Sequence, residues 1–191
     1  MRGWIVCFAL AACLATGVEA LARQDDGFAG TPFGTSLAAL PSFLTLKTDG
    51  DVTYAVNLSE SYRLDGKAPV VIYGFGPAGL FAAYVRLDGL VGRDVMVKRL
   101  TAQFGKPATT AEDGGEVLRW RKGKLKVKLK SNPSAGSLKL GYYAATGSGR
   151  SARLPELDSQ AMDGLVKLYE KEKIAKGLVL PPAPAPKGYS P

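Results

Sequence analysis

The chain contains no histidine, and its two cysteines, Cys7 and Cys13, both fall within the first thirteen of 191 residues. Without histidine there are no His general bases, no Ser–His–Asp triads and no imidazole ligands for an ordinary zinc site. With both cysteines at the start, thiol nucleophiles and a disulfide framework are excluded from the rest of the chain, so stability must come from the core. Acidic residues are fewer than basic ones, 17 against 25, and they are scattered. Glu112-Asp113 and Glu116 offer no acid/base pair. Asp49-Gly50-Asp51 is too short for a calcium loop and reads as a turn. We therefore expect no metal site, no cofactor and no catalytic residues, and favour a non-enzyme.

What is present begins with a leader. Arg2 precedes an apolar run, Trp4 to Leu14, and small residues end at Ala20-Leu21-Ala22. This is the pattern of a secretory signal peptide over residues 1–22, cut after Ala22. The run is too short for a transmembrane helix, and we expect none in the mature chain. The alternative is a lipoprotein: Leu10-Ala11-Ala12-Cys13 resembles a lipobox, with Cys13 acylated. The expected location is periplasmic or secreted. The cut removes 22 of 191 residues and leaves 169, enough for one domain of ordinary size. Arg2 and Glu19 leave together, so the net charge remains +8, which favours anionic partners.

Patterning predicts an α+β domain over 23–145, a linker and C-terminal helix over 146–177, and a stiff Pro-rich tail over 178–191. The domain is expected to hold an antiparallel sheet of five to six strands on one main helix, with a peripheral C-terminal helix. Phe28 and Phe33 belong to an extended arm that docks on the core. Phe43 to Lys47 and Val52 to Asn57 flank a hairpin turn. Val70 to Phe75 and Leu80 to Leu87 flank Gly76-Pro77-Ala78-Gly79. With Phe75 opposite Leu80, both faces of that hairpin are apolar, so it should lie centrally or be covered on both sides. Strict alternation places Val70, Ile72, Phe81, Ala83, Val85 and Leu87 on one face. Met96, Leu100 and Phe104 mark a helix from Asp94 to Phe104, stopped by Gly105 and Pro107. Ala108 to Gly115 reads as a loop. Glu116 to Arg121 and Lys124 to Lys130 form a hairpin turning at Lys122-Gly123, and Ser137 to Ala145 is one more strand. Leu157, Ala161, Leu165 and Leu168 make an apolar stripe on a helix from Pro155 to Lys176. No internal repeat is visible.

These motifs carry two resemblances. VVIYGFGPAGLFAA resembles the opening of flavin- and NAD(P)-binding Rossmann domains, in which Gly74, Gly76 and Gly79 would shape a phosphate loop at a helix N-terminus. It implies, as the alternative function, an oxidoreductase. Lys98-Arg99 stand where the ribose-binding acid belongs, and antiparallel hairpins come next where βαβ units should. The second resemblance runs through Phe33-Gly34-Thr35-Ser36-Leu37, Tyr73-Gly74-Phe75, Leu80-Phe81-Ala82, Phe104-Gly105-Lys106-Pro107 and Leu118-Arg119-Trp120, in that order. It is similar to a loose group of uncharacterised exported bacterial proteins, and implies a secreted α+β domain without supplying an activity.

The candidate site is an anion-binding face. Leu125, Val127 and Leu129 alternate with lysines. With Arg121 opposite Lys124, the residues Arg119, Arg121, Lys124, Lys126, Lys128 and Lys130 share one side of the sheet, with Lys139 beside them. Two readings stay open: a surface for an anionic envelope component or acidic protein, or a solvated face whose lysines prevent edge-to-edge pairing. Nucleic acid is not expected, since no stacking aromatic is assigned to that face.

Overall fold

The computed structural model describes residues 26–112, 115–134, 136–144 and 157–177. The expected signal peptide with Cys13, most of the linker and the Pro-rich tail lie outside them.

Ten strands and two α-helices are described. Two short strands, β1 (Gly27–Phe28) and β2 (Thr31–Pro32), pair with each other. The others form one antiparallel sheet: β3 (Phe43–Asp49), β4 (Val52–Asn57), β5 (Val71–Gly76), β6 (Gly79–Arg86), β7 (Ala108–Glu112), β8 (Gly115–Lys122), β9 (Leu125–Asn132) and β10 (Ser137–Ala144). Helix α1 spans Arg93–Phe104 and α2 spans Ser159–Ala175. The α+β class therefore holds, but the sheet has eight strands, in the order β3-β4-β5-β6-β10-β9-β8-β7, and not five to six. The strand missed in sequence is β7. Its Ala-Thr-Thr-Ala run is exposed and lacks alternation because it lies at the sheet edge, where no apolar face is demanded.

The sheet consists of two four-stranded meanders, β3 to β6 and β7 to β10, joined along β6 and β10. Each is accompanied by a helix on its C-terminal side, so the order ββββα occurs twice, although the sequence shows no repeat. The helices cover opposite faces. Met96 and Leu100 of α1 join Leu118, Trp120, Val127 and Leu140 in one cluster. Met162 and Leu165 of α2 join Tyr54, Val56, Ile72 and Tyr84 in the other.

The hairpin β5–β6 lies at the centre of the sheet, and every residue from Val71 to Phe75 is buried, as its two apolar faces predict. Phe75 does face Leu80, and Gly76 faces Gly79 across Pro77-Ala78. A bulge then shifts the register of β6: Gly74 pairs with Ala82 and Phe75 with Leu80, so Phe81 is the extra residue. Phe81 and Ile72 stay on the α2 side, but Ala83, Val85 and Leu87 move to the α1 side with Val71 and Tyr73. Strict alternation misplaced them because one inserted residue reverses every later side chain. Phe81 lies over Gly74, where a Cβ would come within 3.0 Å of its ring.

Two pieces cover the α1 side of the first meander. Phe28, 1% exposed, packs against Tyr62, Tyr73 and Tyr142 with ring centroids 5.0, 5.9 and 4.9 Å away. Tyr73 donates to the Glu60 carboxylate, whose other oxygen accepts the Tyr62 N–H. Tyr73, Phe75 and Leu80 are thus core under the arm, and Tyr84 is core under α2. Helix α1 is fixed at both ends. Arg93 pairs with Glu116, and the Trp120 indole N–H donates to the Gly105 carbonyl at 2.9 Å. Gly105 closes the helix at φ 84°.

Helix α2 starts later than expected. Asp158 is its N-cap and accepts the Ala161 N–H at 2.7 Å. Leu157 before the cap and Met162 in the first turn both join the α2-side cluster, in the positions of a hydrophobic staple. The buried stripe is Met162, Leu165, Val166 and Tyr169. Ala161 and Leu168 are exposed, and the helix covers the first meander instead of being peripheral.

Candidate functional site: a basic sheet face with a lysine-lined cavity

The basic face is set by strand register. Observed pairs are Arg121 with Lys126, Arg119 with Lys128, and Val117 with Lys130. This shifts the expected pairing by two residues and corrects one candidate. Lys124 sits in the two-residue loop behind Gly123, φ 56°, the glycine position of a type II′ hairpin, and off the strand face. Arg119, Arg121, Lys126, Lys128 and Lys130 do share a face. Register places Lys139 of β10 directly opposite Lys130. Three like-charged pairs thus face each other across neighbouring strands. Like charges directly opposite each other repel, by about 0.2–1 kcal/mol for a bare pair. Arg121 and Lys126 are exposed, while Arg119, Lys128 and Lys130 are half-buried. Arg119 also donates to Thr110 of β7.

The face has an end that the sequence did not reveal. Along β10, Lys139, Gly141 and Tyr143 point the same way as the lysines of β9, since Gly141 pairs with Lys128 and with Tyr84. Gly141 has no side chain to fill the space, and the Tyr143 ring lies over it, close enough that a Cβ would meet its hydroxyl at 2.7 Å. Tyr143 packs edge-on against Tyr84 at 5.6 Å. The expectation that no aromatic shares the basic face is corrected by Tyr143. Between these residues and the start of α2 is a cavity of about 180 Å³ lined by Lys128, Lys130, Lys139, Tyr84, Tyr143 and Asp158.

Lys139 is its unusual group. Its ammonium is shielded from solvent and has no hydrogen-bond partner among the described residues. Burial lowers its pKa below the ordinary lysine value and Lys130 acts in the same direction, while Asp163, Asp158 and Asp88 oppose them. Each of those carboxylates has another partner. Asp88 accepts from the Leu138 N–H and from Arg86, Asp163 pairs with Arg86 at 3.3 Å, and Asp158 caps α2.

The glycines of the Rossmann-like stretch serve other purposes. Residues 79–86 form a strand, so the helix whose N-terminus would hold phosphates is not built there. Gly74 lies under Phe81. Gly79, φ 90°, is in backbone contact with the arm: a Cβ there would meet the Gly34 carbonyl oxygen at 2.3 Å. Gly76 and Gly79 line a cavity of about 450 Å³ together with Asp51 and Thr53. Another, of about 550 Å³, mixes Glu60 and Glu170 with Arg63 and Lys173 and has no dominant charge. Among the described residues no group of three or more Cys, Asp or Glu is placed to hold a metal ion, and no helix is long and apolar enough to cross a membrane.

No protein-family model, curated protein or solved structure matches the chain.

Proposed function

We propose that this is an exported, non-enzymatic binding module that uses the β8–β9–β10 face to hold an anionic component of the cell envelope. The observation that carries the reading is the opposition of Arg121 to Lys126, Arg119 to Lys128 and Lys130 to Lys139 on one side of the sheet. A sheet that needed only solubility would alternate signs across strands and avoid the repulsion. The role of lysines in preventing edge pairing does not account for them either. β8, β9 and β10 are interior strands, and the edge strand β7 carries no lysine. The secretory leader expected over residues 1–22 would deliver this face to anionic lipids and glycans.

Vesicle flotation tests the reading. The purified protein should bind phosphatidylglycerol vesicles and not phosphatidylcholine vesicles, and should release as salt rises well above physiological strength, where the Debye length falls below ~8 Å. Arg121→Glu combined with Lys126→Glu should abolish binding. Equal binding to neutral vesicles, or binding indifferent to salt, would refute it. Failure on vesicles with retention on an acidic-protein column would make an acidic protein the partner of the same face.

A further inference from the structure

We infer that the cavity between β9, β10 and the start of α2 is a pocket for one phosphate group, the head of the anionic ligand that the basic face holds. The inference rests on the reading of that face and adds where the ligand's most charged group sits. Its size decides what can enter. About 180 Å³ is smaller than the ~300–1,000 Å³ of pockets that take whole small molecules, so an end group fits and a complete ligand does not.

Its chemistry decides which end group. The cations at the cavity are lysines only, Lys128, Lys130 and Lys139, whereas the guanidiniums Arg119 and Arg121 lie further out on the sheet. Arginine's planar fork matches carboxylate and phosphate alike; ammonium groups act as point charges, and three of them around one small cavity suit a compact tetrahedral dianion approached from several sides. The decisive group is Lys139. A shielded ammonium without a hydrogen-bond acceptor is costly in a protein at rest. Lys139 lines the cavity while its ammonium is covered, so a rotamer change that turns the ammonium into the cavity would let a phosphate oxygen supply the acceptor. Gly141 makes room for the Tyr143 ring, which together with Tyr84 walls the cavity. The Asp158 carboxylate, which also lines the cavity, accepts the Ala161 N–H as the cap of α2.

The test is calorimetric titration of the purified protein with inorganic phosphate in a chloride background of matched ionic strength. A thermal scan of each sample accompanies it. Phosphate should bind and raise Tm, and Lys139→Met should weaken phosphate binding at least tenfold. Without phosphate, Lys139→Met should melt at or above the wild-type temperature, because it removes a desolvated cation; a merely structural lysine would give the opposite. If that variant does not fold, Lys130→Gln should weaken phosphate binding in its place. A second arm separates free phosphate from a lipid headgroup. Vesicles bearing phosphatidic acid, a phosphomonoester, should be preferred over phosphatidylglycerol vesicles of equal surface charge, and Lys139→Met should erase the preference. If inorganic phosphate binds and the lipids are not distinguished, the pocket takes free phosphate. Phosphate acting no better than chloride, or equally on wild type and Lys139→Met, overturns the pocket. If phosphatidylglycerol binding sensitive to Arg121→Glu and Lys126→Glu survives that result, the broader reading of the face stands; if it is also absent, both fall.

Discussion

Replacing Gly79 by alanine tests how the centre of the molecule is held. In β6 this residue has φ 90°, a conformation L side chains avoid, and a Cβ would lie 2.3 Å from the Gly34 carbonyl oxygen and 2.7 Å from that of Thr35. The obstacles are backbone atoms, so no rotamer change relieves them. The arm would have to lift, breaking Gly34 N–H to Leu80 O at 2.8 Å and Leu80 N–H to Thr35 O at 2.9 Å. The conformational cost is about 1–2 kcal/mol, and two lost backbone hydrogen bonds add about 1 kcal/mol each. The expected loss is therefore about 3–4 kcal/mol, a large part of a typical domain's 5–15 kcal/mol. Gly76→Ala is the control. Its Cβ would meet only Phe81, at an ordinary 3.5 Å, and its φ is not positive. It should change stability by less than about 1 kcal/mol. Urea unfolding of the two variants measures the difference, and a 3 kcal/mol loss should lower the midpoint by ~1–3 M. If Gly79→Ala proved no worse than Gly76→Ala, the arm would not be docked on this hairpin, and the α1-side core would have to be closed by something else.

Two further outcomes are expected. Burial raises the pKa of Tyr73, Tyr62 and Tyr54, reinforced at Tyr73 by the Glu60 charge and by its hydrogen bond to that carboxylate. Between their ordinary value near 10 and their folded values, the unfolded chain loses these protons first, so stability should fall as pH rises above about 10. Ultraviolet titration should show at least three of the eight tyrosines protonated until the protein unfolds; full ionisation of a folded protein would contradict the burial. In α2, Asp158→Ala should cost about 1 kcal/mol through the lost cap and Met162→Ala about 2–5 kcal/mol, while Leu168→Ala, at an exposed position, should cost less than about 0.5 kcal/mol. Comparable losses at Met162 and Leu168 in denaturant titrations would show that a different face of the helix is buried.

The site was half legible. Cations alternating with Leu125, Val127 and Leu129 identified the face, because a strand's period of two assigns sides without knowledge of its partners. It could not place Lys124, since moving the loop by one residue takes a side chain off the ladder. It could not weigh Lys139 or Gly141 either: their approach to Lys130 and Lys128 depends on β9–β10 register, and the cavity exists only where α2 returns to the sheet from a distant part of the chain.

The sequence by itself determined the elements with a strong internal period or a stop signal: the central two-faced hairpin, α1 ending at Gly105, the basic hairpin, and, with no histidine in the chain, the lack of imidazole chemistry. These depend on side chains and neighbours a few residues apart, whose sterics act locally. Tertiary structure alone decided the eighth strand, the bulge at Phe81, the burial of Met162 in place of Leu168, the covering of opposite faces by the two helices, and the meeting of Lys139 with α2. Each depends on what packs across the sheet, and burial is conferred by a partner that the local sequence does not contain.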